Sequence, residues 1–126
     1  MAIAGGWNPL DWRIEMTKGR ADYQRVLGML KEKSNFRTNL PKGEGMGVAV
    51  AECHGTIAAA CATVTVSRRG QLSIEKVVVV LDSGHVINPH AATEQSEGSV
   101  CWELSHAWLG GLDLENGRFV NTNFHN

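Results

Sequence analysis

The sequence has no long apolar run: nothing in its 126 residues approaches the roughly eighteen consecutive apolar positions that a membrane-spanning helix requires. The N-terminus, MAIAGGWNPLDW, lacks a charged segment followed by a long apolar one, so it does not read as a secretory signal. An excess of one charge is also missing. Twelve basic residues stand against thirteen acidic ones, for a formal net charge of −1, which leaves no electrostatic case for nucleic acid or an anionic membrane surface. The densest basic spot, Arg68-Arg69 before Gly70, reads as a solvated hairpin tip. Cysteine is scarce. Cys53, Cys61 and Cys101 are odd in number and have neither a C-x-x-C nor metal-site spacing. They are expected as buried free thiols in a reducing compartment, and the protein as cytoplasmic. There is no internal repeat and no low-complexity stretch.

What is present is an ordinary globular composition, 43% hydrophobic and 20% charged, at a length that suits one domain with one core. Asn8-Pro9-Leu10-Asp11 reads as a helix start, with Asn8 as cap, Pro9 in the first helical position and Asp11 in the first turn. That helix is expected to run to about Thr17, with Gly19 breaking it. Tyr23, Val26, Leu27 and Leu30 then follow the helical stripe, closed by Lys31 and Lys33. After a polar connector the period becomes two. Strands are expected over 46–52, 57–67 and 71–81, the last two joined around Arg69-Gly70. The small Ala and Cys side chains on the second strand imply a very close neighbour, and Val77 to Leu81, apolar on both faces, implies burial on both sides. A second long helix is expected over 91–109, its stripe made by Val100, Leu104, Ala107 and Trp108 and widened by Trp102 and Leu109, with Gly110-Gly111 as its stop. Asn116-Gly117, between alternating apolar residues, is a type I′ hairpin signal.

This order predicts an α+β fold: a two-layer sandwich of a mostly antiparallel sheet packed against one long helix, with an N-terminal helical pair. It reads as a single domain over 1–126, helical in 1–40 and sheet plus helix over 46–124.

Several positions have the residue types of a site. GEGMG precedes a strand rather than opening a helix, which removes the mechanism of a phosphate loop. Glu52 and His54 would share a strand face, with no third ligand evident for a metal. Asp82, Ser83 and His85 are too close in sequence for a nucleophile–base–orienter chain. His90 follows Asn88-Pro89 at a helix N-terminus, where a dipole favours its neutral form or a nearby anion. Gln95 falls in the first turn or so of the second long helix. Its amide can donate and accept at once, which suits the edge of a heterocycle, against a default role in capping or on the surface.

The same corner, DSGHVINPHAATEQSEGSV, resembles the strand-to-helix segment of the large, molybdopterin-binding subunit of the xanthine dehydrogenase family of molybdenum hydroxylases. The branch it looks most like is the isoquinoline 1-oxidoreductase β-subunit. The matching positions are Asp82, Gly84, Asn88-Pro89 and Gln95-Ser96-Glu97-Gly98. NPLDWRIEMTKG, GEGMGVAVAECHGTIAA and LENGRFVNTNFHN resemble further segments of that subunit in the same order. The chain departs from the family at Thr63, where a glutamate is common, and at Cys53-His54, which replace Ser-Phe.

The resemblance implies hydroxylation of heterocycles or aldehydes with oxygen from water, a molybdenum held by a pterin rather than by protein ligands, and electrons leaving through an iron–sulfur partner. It implies that Gln95 and Gly98 contact molybdopterin. The family's catalytic base is a glutamate in Gly-x-Gly-Glu, and no such motif occurs in these residues. No catalytic residue is therefore expected here, and no activity from the chain alone, since the reaction needs that base. Two readings follow. The chain is a piece of a hydroxylase, completed by the rest of the large subunit and an iron–sulfur subunit. Alternatively it is a stand-alone, non-enzymatic binding or assembly domain without cofactor. Either way former interior surface is expected to seek cover, making a homo-oligomer of the chain alone. A small independent enzyme using Glu52 and His54 is the weakest alternative.

Overall fold

The structure is a computed structural model and describes residues 1–122. The chain divides into two units, Met1–His85 and Val86–Asn126, each described by itself.

The first unit opens with a short 3-10 turn, Ile3–Gly5, followed by α1 (Pro9–Met16) and α2 (Ala21–Ser34). Asn8 starts α1 as its sequence requires. Its Oδ1 accepts from the N–H groups of Leu10 at 2.9 Å and Asp11 at 3.2 Å, and Pro9, which has no N–H, follows it. Asn35 ends α2 in the left-handed region at φ 52°.

Three strands follow: β1 (Glu44–Cys53), β2 (Thr56–Val66) and β3 (Leu72–Asp82). They form an antiparallel meander in the order β1-β2-β3. A bulge between Thr63 and Val64 leaves Glu75 of β3 unpaired in the ladder. GEGMG enters β1 directly, as its place before a strand implied.

The core joins Leu10 and the α2 stripe Val26, Leu27 and Leu30 to Ile57, Ala59, Cys61 and Val80. Ala59 and Cys61 are the small side chains that β2 turns to this layer, and α2 is the neighbour that their size admits. The two-layer α+β arrangement is thus present, and its helical layer is α2, with α1 packed on α2 through Leu10. Burying each large aliphatic side chain in this layer contributes about 1.5–3 kcal/mol.

One expectation is corrected. Val77 to Leu81 is not buried on both faces: only Val80 is buried, and Leu81 is 42% exposed. The pleat sends Val78 and Val80 towards α2. Val77, Val79 and Leu81 point to the opposite face, which neither α1 nor α2 covers. The register continues that face across the sheet in three rows, Gly47–Ala62–Val77, Ala49–Ala60–Val79 and Ala51–Ala58–Leu81.

The second unit holds α3 (Pro89–Leu109) and the hairpin β4 (Leu114–Glu115) and β5 (Arg118–Phe119). Asn116 at φ 49° and Gly117 at φ 77° make the type I′ turn that their sequence announced. No residue of α3 is buried. Of its expected stripe, Val100 and Leu104 are half-buried, while Ala107 and Trp108 are exposed. Among the described residues no helix is long and apolar enough to cross a membrane. Asn123, Phe124, His125 and Asn126, which belong to the last resembling segment and in part to the expected 46–124 element, lie outside the described residues.

Candidate functional site

At the end of β3, Asp82 is fully engaged. Its Oδ1 accepts from the N–H of Gly84 at 3.3 Å, closing an Asx turn, and its Oδ2 accepts from the Arg25 guanidinium at 2.6 Å. Arg25, then the Gly84 N–H, hold its carboxyl below the usual carboxylate range. Asp82 also borders a shallow groove of about 260 Å³ with Arg25, Val26, Met29, Val80 and Leu81. Ser83 and His85 are exposed, and among the described residues neither is hydrogen-bonded to Asp82. The corner therefore anchors the strand end; it does not assemble a triad.

Glu52 and His54 do not share a face. Cys53 pairs with Thr56, so His54 and Gly55 are the turn between β1 and β2, with His54 at φ 50°. Glu52 is taken by other groups. Its Oε2 accepts from Arg20 at 3.0 Å and from the Tyr23 hydroxyl at 3.1 Å. Arg20 also grips Asp22 at 2.8 Å and lies 4.7 Å over the Tyr23 ring. With Arg20, and then the Tyr23 N–H, bonded to it, Asp22 titrates at about 2. Desolvation first, then Glu52, raises Tyr23. The sequence reading missed this network. Only the Arg20-x-Asp22 spacing was visible locally; the bonds to Glu52 span 29 and 32 positions.

The cysteines are not all buried. Cys61 is, while Cys53 and Cys101 are exposed. Cys53 sits at the end of β1 on the face away from α2, and Cys101 lies on a helix with no buried residue. Burial pushes the Cys61 thiol up; the neighbouring Ser34 hydroxyl acts the other way. That buried hydroxyl has no partner with hydrogen-bond geometry among the described residues, so its effect on the thiol is one of proximity.

On α3 the helix begins two residues earlier than expected. Asn88 caps it, its Oδ1 accepting from Ala91 N–H at 3.2 Å, while Ala92 N–H bonds the Asn88 carbonyl at 3.1 Å. Pro89 has no N–H, so the free donors of this helix end are largely used. With Pro89 as the first helical residue, Gln95 is the seventh, in the second turn, and its N–H belongs to the helical ladder. What Gln95 offers is its side-chain amide, exposed and without a partner among the described residues. Gly98 lies at i+3 on the same face, and a Cβ built there meets nothing within 4 Å. Trp102 and His106 extend the stripe, their rings 5.8 Å apart and edge to face. The half-buried residues Ala92, Ser96, Val100 and Leu104 occupy another face. Trp102 thus aligns with Gln95 and not with the apolar stripe assigned to it from sequence. His90 Nδ1 stands 3.6 Å from the Glu94 carboxylate, one turn along the helix.

Chemically, this face combines a two-way hydrogen-bonding amide, a gap without a side chain, and an exposed indole. A flat heterocycle can lie over the gap with its edge at the amide. Among the described residues no group of three or more His, Cys, Asp or Glu could hold a metal ion.

Comparison with known proteins gives two matches. Residues 12–126 match the family model of a molybdopterin cofactor-binding domain. A protein of Gluconacetobacter polyoxogenes named membrane-bound aldehyde dehydrogenase (pyrroloquinoline-quinone) is 32% identical over 106 residues, covering 79% of this chain and 14% of that protein. No solved structure matches.

Proposed function

The chain belongs to the molybdopterin cofactor-binding domain family, and on that premise we propose that the Gln95–Gly98 face of α3 forms part of a cofactor wall in a molybdenum hydroxylase. The observation that carries this reading is the pairing of an amide without a partner among the described residues with an open glycine one turn along the same face. These residues fit the cofactor as one side of its site: Gln95 would hold a heterocycle edge by donating and accepting, and Gly98 would let the ring approach the backbone. The bound cofactor supplies the metal and the redox chemistry. This segment supplies binding and orientation. It carries no Gly-x-Gly-Glu, and we assign it no catalytic base.

The collinear segments favour an isoquinoline 1-oxidoreductase-like branch, and the relative's name adds aldehydes as a substrate class. That name also carries pyrroloquinoline quinone, a different cofactor. We favour molybdopterin because the family match extends over residues 12–126. The whole protein's activity, and its partnership with an iron–sulfur subunit, form part of this proposal.

A second reading, a non-enzymatic oligomeric domain, is favoured by one feature: the apolar sheet face that α1 and α2 leave open.

The test is elemental molybdenum and pterin fluorescence per chain after expression in a host that makes the cofactor, for the wild-type chain and Gln95→Ala. Metal with pterin in the wild type and clearly less in the variant is expected. Equal loading in both, or none in either, would sink the assignment of this face. Bound pyrroloquinoline quinone without molybdenum would replace the cofactor.

A further inference from the structure

The face of α3 that carries Gln95 and Gly98 continues to Trp102, four residues past the glycine. At 1.5 Å per residue the three positions stand about 4.5 Å and about 6 Å apart along the axis, and at about 100° per residue they lie within roughly 60° of one another. The half-buried stripe Ala92, Ser96, Val100 and Leu104 is centred about 140° round the helix from Trp102. Trp102 therefore does not belong to the packed stripe. Long side chains on a helix lean towards its N-terminus, over the preceding turn, so this indole leans towards Gly98. There a side chain is missing, and a Cβ would meet nothing within 4 Å. One turn on, towards the C-terminus, the ring of His106 meets the indole edge to face, with centroids 5.8 Å apart and planes at 83°. The indole thus has a ring partner in the turn after it and a gap in the turn before it.

We propose that Trp102 is a third binding residue of the molybdopterin wall: its indole stacks on the heterocycle that Gln95 holds by the edge, and His106 positions the indole. This rests on the cofactor-wall reading above. The two contacts are complementary. An amide bonds a ring's edge and gives nothing to its face, whereas an indole offers its own apolar face to the face of a ring. Gly98 stands between them and leaves the space that a ring needs to reach both. An indole that served packing alone would fall on the stripe of Val100 and Leu104, and Trp102 does not. His106 acts through the indole. Its edge-to-face contact restricts the indole before any ligand arrives, so less freedom is lost on binding.

The experiment uses the full chain, expressed in a host that makes the cofactor, as wild type, Gln95→Ala, Trp102→Ala, Trp102→Phe, His106→Ala and His106→Phe. It reads molybdenum and pterin per chain, the rate of pterin release on dilution, and tryptophan emission before and after release. Trp102→Ala should release the pterin roughly 5- to 150-fold faster than the wild type, the range for losing one stacked ring, with far-UV circular dichroism unchanged. Trp102→Phe keeps a ring and should fall between the two. His106→Ala should also release faster, and His106→Phe, which keeps an aromatic edge against the indole, should restore the wild-type rate. In the wild type, release should raise tryptophan emission, because a stacked heterocycle quenches the indole. In Trp102→Phe, where Trp7, Trp12 and Trp108 remain, that rise should vanish. Loading that depends on Gln95 while Trp102→Ala releases at the wild-type rate, or an emission rise that persists in Trp102→Phe, would overturn the role of Trp102 and leave the wall standing. Wild-type release from His106→Ala would overturn the positioning. No molybdenum or pterin in the wild type would overturn the wall and this proposal together.

Discussion

Replacing Gly98 by alanine sets two effects against each other. Gly98 lies inside α3, and a Cβ there meets no atom within 4 Å. A helix-interior glycine costs about 0.5–1 kcal/mol relative to alanine, because it gives up more backbone freedom on folding. No residue of α3 is buried, so packing does not mask that term. Since ~1.4 kcal/mol is a factor of ten, Gly98→Ala should shift the local opening equilibrium of the helix by about two- to fivefold towards the closed form. Amide hydrogen exchange across residues 93–104 should slow by that factor. If Gly98 is where a heterocycle approaches the backbone, molybdenum per chain should fall in the same variant, so the helix gains order as the site loses its ligand. Unchanged or faster exchange would refute the claim of open space at Gly98. Slower exchange with full metal loading would refute its place in the wall.

Leu27, at 0% exposure in the shared layer of α2 and sheet, should cost about 2–5 kcal/mol when cut to alanine, read as a lower urea midpoint. Asp22 titrates in the folded chain at about 2, below its ordinary 3.8, so its contribution is present above the ordinary value and lost as pH falls towards about 2; Asp22→Asn should flatten the acid limb of a stability–pH curve across that window. Asp82 acts in the same direction, and Arg25→Ala should raise its titration point towards the ordinary carboxylate value in NMR. In native protein a thiol reagent should modify Cys53 and Cys101 quickly and Cys61 only on unfolding; three fast thiols would contradict the packing of α2.

The sequence alone determined the features that arise within a few residues. Asn8-Pro9 starts a helix because a short side chain can reach the first N–H groups and proline has none to lose; Asn88-Pro89 does the same, two residues ahead of the start expected for α3. Asn116-Gly117 turns because both residues tolerate positive φ. The stripe Val26, Leu27 and Leu30 becomes core because helical spacing gathers it on one face. Gln95 was singled out by its amide near a helix start as well as by the collinear resemblance, and Gly98 by the resemblance alone.

Tertiary structure decided what those local signals meet. An apolar run such as Val77 to Leu81 states that a strand wants cover but not which side chains α2 reaches; its placement put Val78 and Val80 in the shared layer and left half-buried Val77 and Val79 and exposed Leu81 on the other face. Arg25 finds Asp82 across 57 positions, and Glu52 finds Arg20 across 32, because the fold brings distant segments together while short-range pattern reports only neighbours along the chain. An earlier helix start, by two residues, likewise moved Gln95 from a helix end with free donors to a second-turn face. There its side chain, and not the backbone, is what a ligand would meet.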